Sequence, residues 1–149
     1  MCDYSLHFIA TRSAKLGDKL VTTEFLNTIT RGFGSIDEPA LAVCLQPGTE
    51  LTFDHEPLYW RPFTRWLPRK RPTRLASTLA RFRQINLDRR DTHHDALEFS
   101  DGTIVLLTRL CPGQRATVLQ LPADAHAIIE SDRVQARVTT RLRTAVPAM

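Results

Sequence analysis

Acidic side chains are nearly missing from one stretch of this chain. Residues 61–90 hold ten of its twenty Lys and Arg but a single acid, Asp88. Other shortages run the whole length. The three cysteines, Cys2, Cys44 and Cys111, are odd in number and form no CxxC pair, which argues against a disulfide framework. No window approaches the roughly 18 to 20 apolar residues of a membrane-spanning helix. Asp3 stands where a secretory signal needs positive charge, and the apolar run beside it is short and broken, so a cytoplasmic location is expected. Gly32-Phe33-Gly34 lacks the spacing and following helix of a phosphate-binding loop, so nucleotide binding is not supported. That segment, 30–39, reads as a loop in which Phe33 serves as a ligand lid or a turn anchor.

What is present is ordinary globular material. A chain of 149 residues with 42% hydrophobic content buries enough surface for one core, so 1–149 is read as a single domain. Its body reads mainly as β. Residues 5–11 and 19–25 alternate partially and are rich in β-branched and aromatic side chains. Residues 40–45, then Pro47-Gly48, then 50–53 read as strand, turn, strand, because glycine supplies the positive φ of a type II turn. The pattern returns at 96–99, Asp101-Gly102, 103–110, Pro112-Gly113 and 116–121, and Asp-Gly between apolar runs is a strong hairpin signal. Residues 45–53 align with 110–118 at an offset of 65 without gaps. Either one strand–turn–strand unit is duplicated or two hairpins converged on the same turn chemistry. The frequency of Leu, Pro and Gly at turns favours convergence.

Between these β-halves lies a basic, aromatic-laced excursion, 57–90. Its cations give 61–90 a net charge of +9, and the chain's total of +4 leaves −5 for the remainder. Pro57 suits the start of a short helix with Trp60, Phe63 and Leu67 on one face, although Pro62 makes a kinked segment nearly as good a fit. Pro68 and Pro72 bracket Arg69, Lys70 and Arg71. Thr73 then caps a helix over 73–83, where Leu75, Leu79 and Phe82 follow helical spacing and Arg74, Arg81 and Arg83 flank the stripe. Residues 122–131 suit another short helix, and 123–149 as a whole suit a helix and strand or a mobile tail. The expected fold is therefore α+β and β-dominated: a hairpin-rich antiparallel sheet, in a small barrel or sandwich, with one helix at 73–83 and a second near the carboxyl terminus.

Three groups of residues could carry chemistry. Tyr59, Trp60, Arg61, Phe63, Arg65, Trp66, Arg69, Lys70, Arg71 and Arg74 combine cations with aromatic side chains, as a docking surface for an anionic partner does. An acidic protein surface suits the Trp and Arg pairing first, anionic lipid next and nucleic acid third. His93, His94 and Asp95, with Glu98, have ligand chemistry for a transition metal. In order they resemble the opening of the first cupin motif. The spaced histidine pair, the glycine spacing and any second motif are absent, and the chain is not assigned to that family. Cys2, with the α-amine exposed once Met1 is removed, resembles the start of N-terminal-nucleophile amidotransferases. Those domains are much longer, and their glutamine-binding motifs have no counterpart here. With His7, Cys2 could instead chelate a soft metal. Cys44 and Cys111 read as core fillers.

The reading favoured by the sequence is a non-enzymatic binding or accessory protein, with no cofactor predicted. The alternatives are a small metal-binding protein or enzyme using Cys2, His7, His93, His94 and Asp95, and a homo-dimer joining basic block to acidic body.

Overall fold

The structure, a computed structural model, describes residues 9–26, 31–61 and 71–123. In chain order the strands are β1 (Thr11–Ser13), β2 (Lys19–Glu24), β3 (Arg31–Ser35), β4 (Ala42–Cys44), β5 (Glu50–Phe53), β6 (Leu58–Trp60), β7 (Pro72–Arg74), β8 (Leu79–Gln84), β9 (Asp95–Phe99), β10 (Ile104–Leu106) and β11 (Arg115–Gln120). A 3-10 turn, Leu107–Arg109, follows β10 and lies against β3. Nine strands form one sheet, ordered β1-β4-β3-β2-β11-β5-β8-β9-β10, and β6 pairs with β7 as a separate two-stranded ribbon. The sheet is mixed, because β1 runs parallel to β4. Among the described residues it does not close, and β1 and β10 are its edges.

Period-two alternation places one face of this sheet inside. Leu51 and Phe53 of β5, Ala80 and Phe82 of β8, and Ala116 and Val118 of β11 are buried, while their sequence neighbours are half-buried or exposed. Phe53 sits at the centre, 6.2 Å from the Phe33 ring and 6.1 Å from the Phe99 ring. Both Pro-Gly turns form as expected, with φ +95° at Gly48 and +84° at Gly113.

Beyond the two turns the halves correspond in strand order and register, although the offset of 65 itself links only β5 to β11. Leaving β1 aside, the middle of the sheet falls between β11 and β5, where Thr117 faces Thr52, two residues that the offset equates. Outward from that point the halves repeat, β2 matching β8, β3 matching β9 and β4 matching β10. Their registers coincide. Arg115↔Val21 and Ala116↔Leu20 on one side correspond to Glu50↔Arg81 and Leu51↔Ala80 on the other. The β2–β3 pairs from Leu20↔Ser35 to Glu24↔Arg31 correspond one by one to the β8–β9 pairs from Ala80↔Phe99 to Gln84↔Asp95. Turn bonds repeat as well: Gly48 N–H donates to Phe82 C=O at 2.9 Å, and Gly113 N–H to Thr22 C=O at 2.7 Å. Leu45, Pro47, Gly48, Thr52 and Pro57 recur as Leu110, Pro112, Gly113, Thr117 and Pro122. The matched strands stand 60 residues apart for β2 and β8, 64 for β3 and β9 and 62 for β4 and β10, so the correspondence is one of strand plan and register and not of a constant offset. The chain holds two copies of one strand plan, each lending its last strand to the other half.

Several expectations are corrected. No helix spans 73–83; its residues form β7, a bend and β8. The segment 79–84 alternates as well as it follows helical spacing. As a strand it covers β5, whose backbone donors and acceptors would otherwise lie unpaired. Leu79 is turned outward as a result, 42% exposed. Leu58–Trp60 is extended, so no helix starts at Pro57. The glycine-bracketed loop is strand β3: a Cβ at Gly34 would lie 2.5 Å from the Pro39 carbonyl oxygen, so the glycine serves close approach of two backbones. Cys44 is disulfide-bonded, which corrects both the filler reading and the inference from the odd cysteine count. Its partner lies outside the described residues, because Cys111 is free. The segments 1–8 and 124–149, with the proposed carboxyl-terminal helix, also lie outside them.

Candidate functional site

The basic excursion leaves the body at Pro57, which is fully buried, and returns through Leu75, also buried. Between them β6 and β7 form an antiparallel ribbon, with Leu58↔Arg74, Tyr59↔Thr73 and Trp60↔Pro72 in register. Proline is tolerated at Pro72 because a two-stranded ribbon has outer edges that need no donor.

The root of the ribbon is tied to the body. Leu75 N–H donates to Pro57 C=O at 2.8 Å, and Cys111 N–H donates to Leu58 C=O at 3.0 Å. The Gln114 side-chain amide then acts like a short piece of strand. Its Oε1 accepts from Leu58 N–H at 2.5 Å, and its Nε2 donates to Leu58 C=O at 2.9 Å and Cys111 C=O at 2.7 Å. Thr22 braces the same corner, its hydroxyl donating to Cys111 C=O at 2.7 Å and accepting from Gln114 N–H at 2.9 Å. Tyr59 packs on the core and bridges to Leu110. Burial raises the pKa of the Cys111 thiol against a smaller opposing effect of Arg31, so Cys111 stays a neutral thiol near neutral pH.

Of the proposed contact residues, the structure brings Tyr59, Trp60, Arg61, Arg71 and Arg74 onto this ribbon. Tyr59 and Trp60 are half-buried, and the three arginines are exposed. Arg61 and Arg71 form no ion pair among the described residues, and Arg74 makes one exposed pair with Glu56 at 3.7 Å. Phe63, Arg65, Trp66, Arg69 and Lys70 lie outside the described residues.

The remaining arginines of the block divide differently. Arg81 is paired with Glu50 at 2.6 Å and Arg83 with Glu98 at 2.8 Å. Register sets up both: Glu50 stands directly opposite Arg81 across β5 and β8, whereas Glu98, opposite Arg81 across β8 and β9, is reached diagonally by Arg83, which itself faces Ala96. The hydrogen bond and charge of Glu50 raise the pKa of Arg81, so this cation is already matched. Arg89 and Arg90 are exposed in the loop before β9 and make no ion pair among the described residues.

The metal-ligand candidates are less assembled. His94 Nδ1 lies 3.0 Å from Ile85 C=O, and Asp95, buried, accepts from Gln84 Nε2 at 3.2 Å. His93 is half-buried beside them. Cys2 and His7 lie outside the described residues. Among those described, no three His, Cys, Asp or Glu side chains converge as a metal site would require. No described helix is long and apolar enough to cross a membrane.

Sequence reading missed Gln114 and Glu50, and it placed Glu98 with the metal-ligand candidates rather than opposite the basic block. An isolated glutamine after a Pro-Gly turn carries no local signal, and the two acids become partners of the basic block only through strand register. In comparisons with protein-family models, curated proteins and solved structures, nothing matches this chain.

Proposed function

We propose that this chain is a non-enzymatic binding protein whose basic ribbon docks onto an acidic surface of a partner protein. One observation carries the reading. Strand register matches Arg81 and Arg83 with internal acids, whereas Arg61 and Arg71 stand exposed and, among the described residues, unpaired at the end of a ribbon whose root is fixed. By sequence the segment between them adds Arg65, Arg69 and Lys70. Cations concentrated on a projection and left without partners steer an anionic surface toward it. Tyr59 packs on the core and so is not a free platform for stacking a base, which counts against nucleic acid. Trp with Arg is the composition of protein-interface hot spots.

The test reverses charge in the triplet, Arg69→Glu, Lys70→Glu and Arg71→Glu. Binding is measured to polyglutamate, to phosphatidylserine vesicles and to a single-stranded oligonucleotide. The expected result is strongest binding to polyglutamate, lost in the variant and weakened steeply as salt shortens the screening length to about 8 Å. Arg71→Glu alone, at an exposed position, should change stability by no more than about 0.5 kcal/mol. Binding that ignores both salt and charge reversal would sink the proposal, preference for vesicles or oligonucleotide would reassign the partner, and salt-sensitive self-association would point to the homo-dimer.

A further inference from the structure

The two-fold plan makes each half a template for the other, and one position is filled in only one of them. In the first half β1 covers the outer edge of β4 in parallel, with Thr11↔Ala42, Arg12↔Val43 and Ser13↔Cys44 in register. Ala42 N–H donates to Ala10 C=O at 2.9 Å, and Ala14 N–H donates to Cys44 C=O at 2.9 Å. The matching edge in the second half belongs to β10, and among the described residues it ends the sheet.

The correspondence holds at single atoms. Gly34↔Ala42 in the first half matches Glu98↔Ile104 in the second. Ser35 N–H donates to Leu41 C=O just as Phe99 N–H donates to Thr103 C=O. Hydrogen-bonded and non-hydrogen-bonded pairs alternate along an antiparallel ladder, so Val105 bonds to β9 and the backbone groups of Ile104 and Leu106 point away from it. Ile104 N–H and Leu106 C=O therefore occupy the places of Ala42 N–H and Cys44 C=O. Neither makes a turn, loop or side-chain hydrogen bond among the described residues. The residues of the second half that would correspond to β1 are 71–73, of which Pro72 and Thr73 are taken up by the ribbon, where β7 pairs with β6.

We propose that the outer edge of β10 accepts a parallel extended segment of another protein, three residues long, with β-branched side chains at its first and third positions and a cation just before them. Strand addition of this kind supplies affinity through main-chain hydrogen bonds and specificity through alternate side chains. The first and third residues stand beside Ile104, 44% exposed, and Leu106 on the outer face, and the middle one lies beside Val105. The amino-terminal end of the incoming segment falls at the β9–β10 turn, where Asp101 is exposed and unpaired by any cation among the described residues. The Thr103 N–H bond, at 2.9 Å, holds the Asp101 carboxyl below the usual carboxylate range, so it is anionic at neutral pH. Self-pairing of β10 with a second copy about a two-fold axis normal to the sheet runs antiparallel. The parallel geometry set by β1 and β4 therefore points to a different segment.

The probe is a heptapeptide with lysine at its amino end followed by alternating valine and threonine, and the control carries the lysine at its carboxyl end. The first peptide should shift the backbone amide resonances of Ile104 and Leu106 in the intact chain, and the control should bind more weakly. Ile104→Pro, tolerable at a sheet edge, removes the donor and should weaken binding about tenfold. Asp101→Asn should weaken it about threefold. Equal binding of the two peptides, shifts confined to other strands, or a folded Ile104→Pro protein of undiminished affinity would each overturn the proposal, as would antiparallel dimerisation through β10. Should Ile104→Pro fail to fold, the peptide polarity control and Asp101→Asn decide the matter alone.

Discussion

Gln114 and Thr49 occupy equivalent positions in the two halves, one residue after the turn glycine, yet their polar atoms meet different fates. The Gln114 amide makes three hydrogen bonds that fasten Leu58. The Thr49 hydroxyl is fully buried and makes none. Removing a partner from a buried backbone group costs its desolvation, roughly 1–3 kcal/mol, whereas deleting an orphaned polar atom removes such a cost. Gln114→Leu is therefore expected to destabilise by roughly 1–3 kcal/mol. Thr49→Val, nearly the same shape, should stabilise by about 1 kcal/mol. Urea midpoints measured at unchanged slope would show the two effects, and changes of the same sign would contradict this account.

At the scale of elements, β8 separates burial from charge pairing. Phe82 is buried at the centre of the strand, while Arg81 beside it is 59% exposed at the side chain and bonded to Glu50. Phe82→Ala should cost about 3–5 kcal/mol by opening a cavity. A double-mutant cycle on Glu50 and Arg81 should return only a small fraction of the cavity effect, because solvent screens the pair. A coupling larger than the cavity effect would mean that the charge ladder holds these strands together. This same element shows where sequence reading stops. The strand β5 and its turn are legible because Pro47-Gly48 and the alternation of 50–53 agree on one answer. Residues 79–84 satisfy two patterns, and the deciding fact, an edge of β5 that must be covered, is not local. The strand β3 escapes because Gly32 and Gly34 look like turn residues until Pro39 is seen against one of them. The candidate site is legible as a concentration of charge in 61–90. Which arginines remain unmatched is not, since Glu50 and Glu98 lie 31 and 15 residues from their partners.

The whole molecule is held together by an exchange between its halves. Strand β5 of the first half pairs with β8 of the second, and β11 of the second pairs with β2 of the first. The aromatic line Phe33–Phe53–Phe99 crosses the same boundary. The covalent link between the halves runs through 62–70, and the structure implies that cohesion does not depend on it. A protease site inserted between Trp66 and Leu67 tests this in the full-length protein. After cleavage the two fragments should elute together at the volume of the uncut chain, because neither can cover its inner face alone. Cutting the link replaces an intramolecular encounter, with an effective concentration on the order of millimolar, by a bimolecular one. The denaturation midpoint should therefore fall and become dependent on protein concentration, as it does for any two-chain fold. Fragments that separate in native buffer would show that each half closes its own core, and the strand exchange would then be a consequence of the fold rather than its cause.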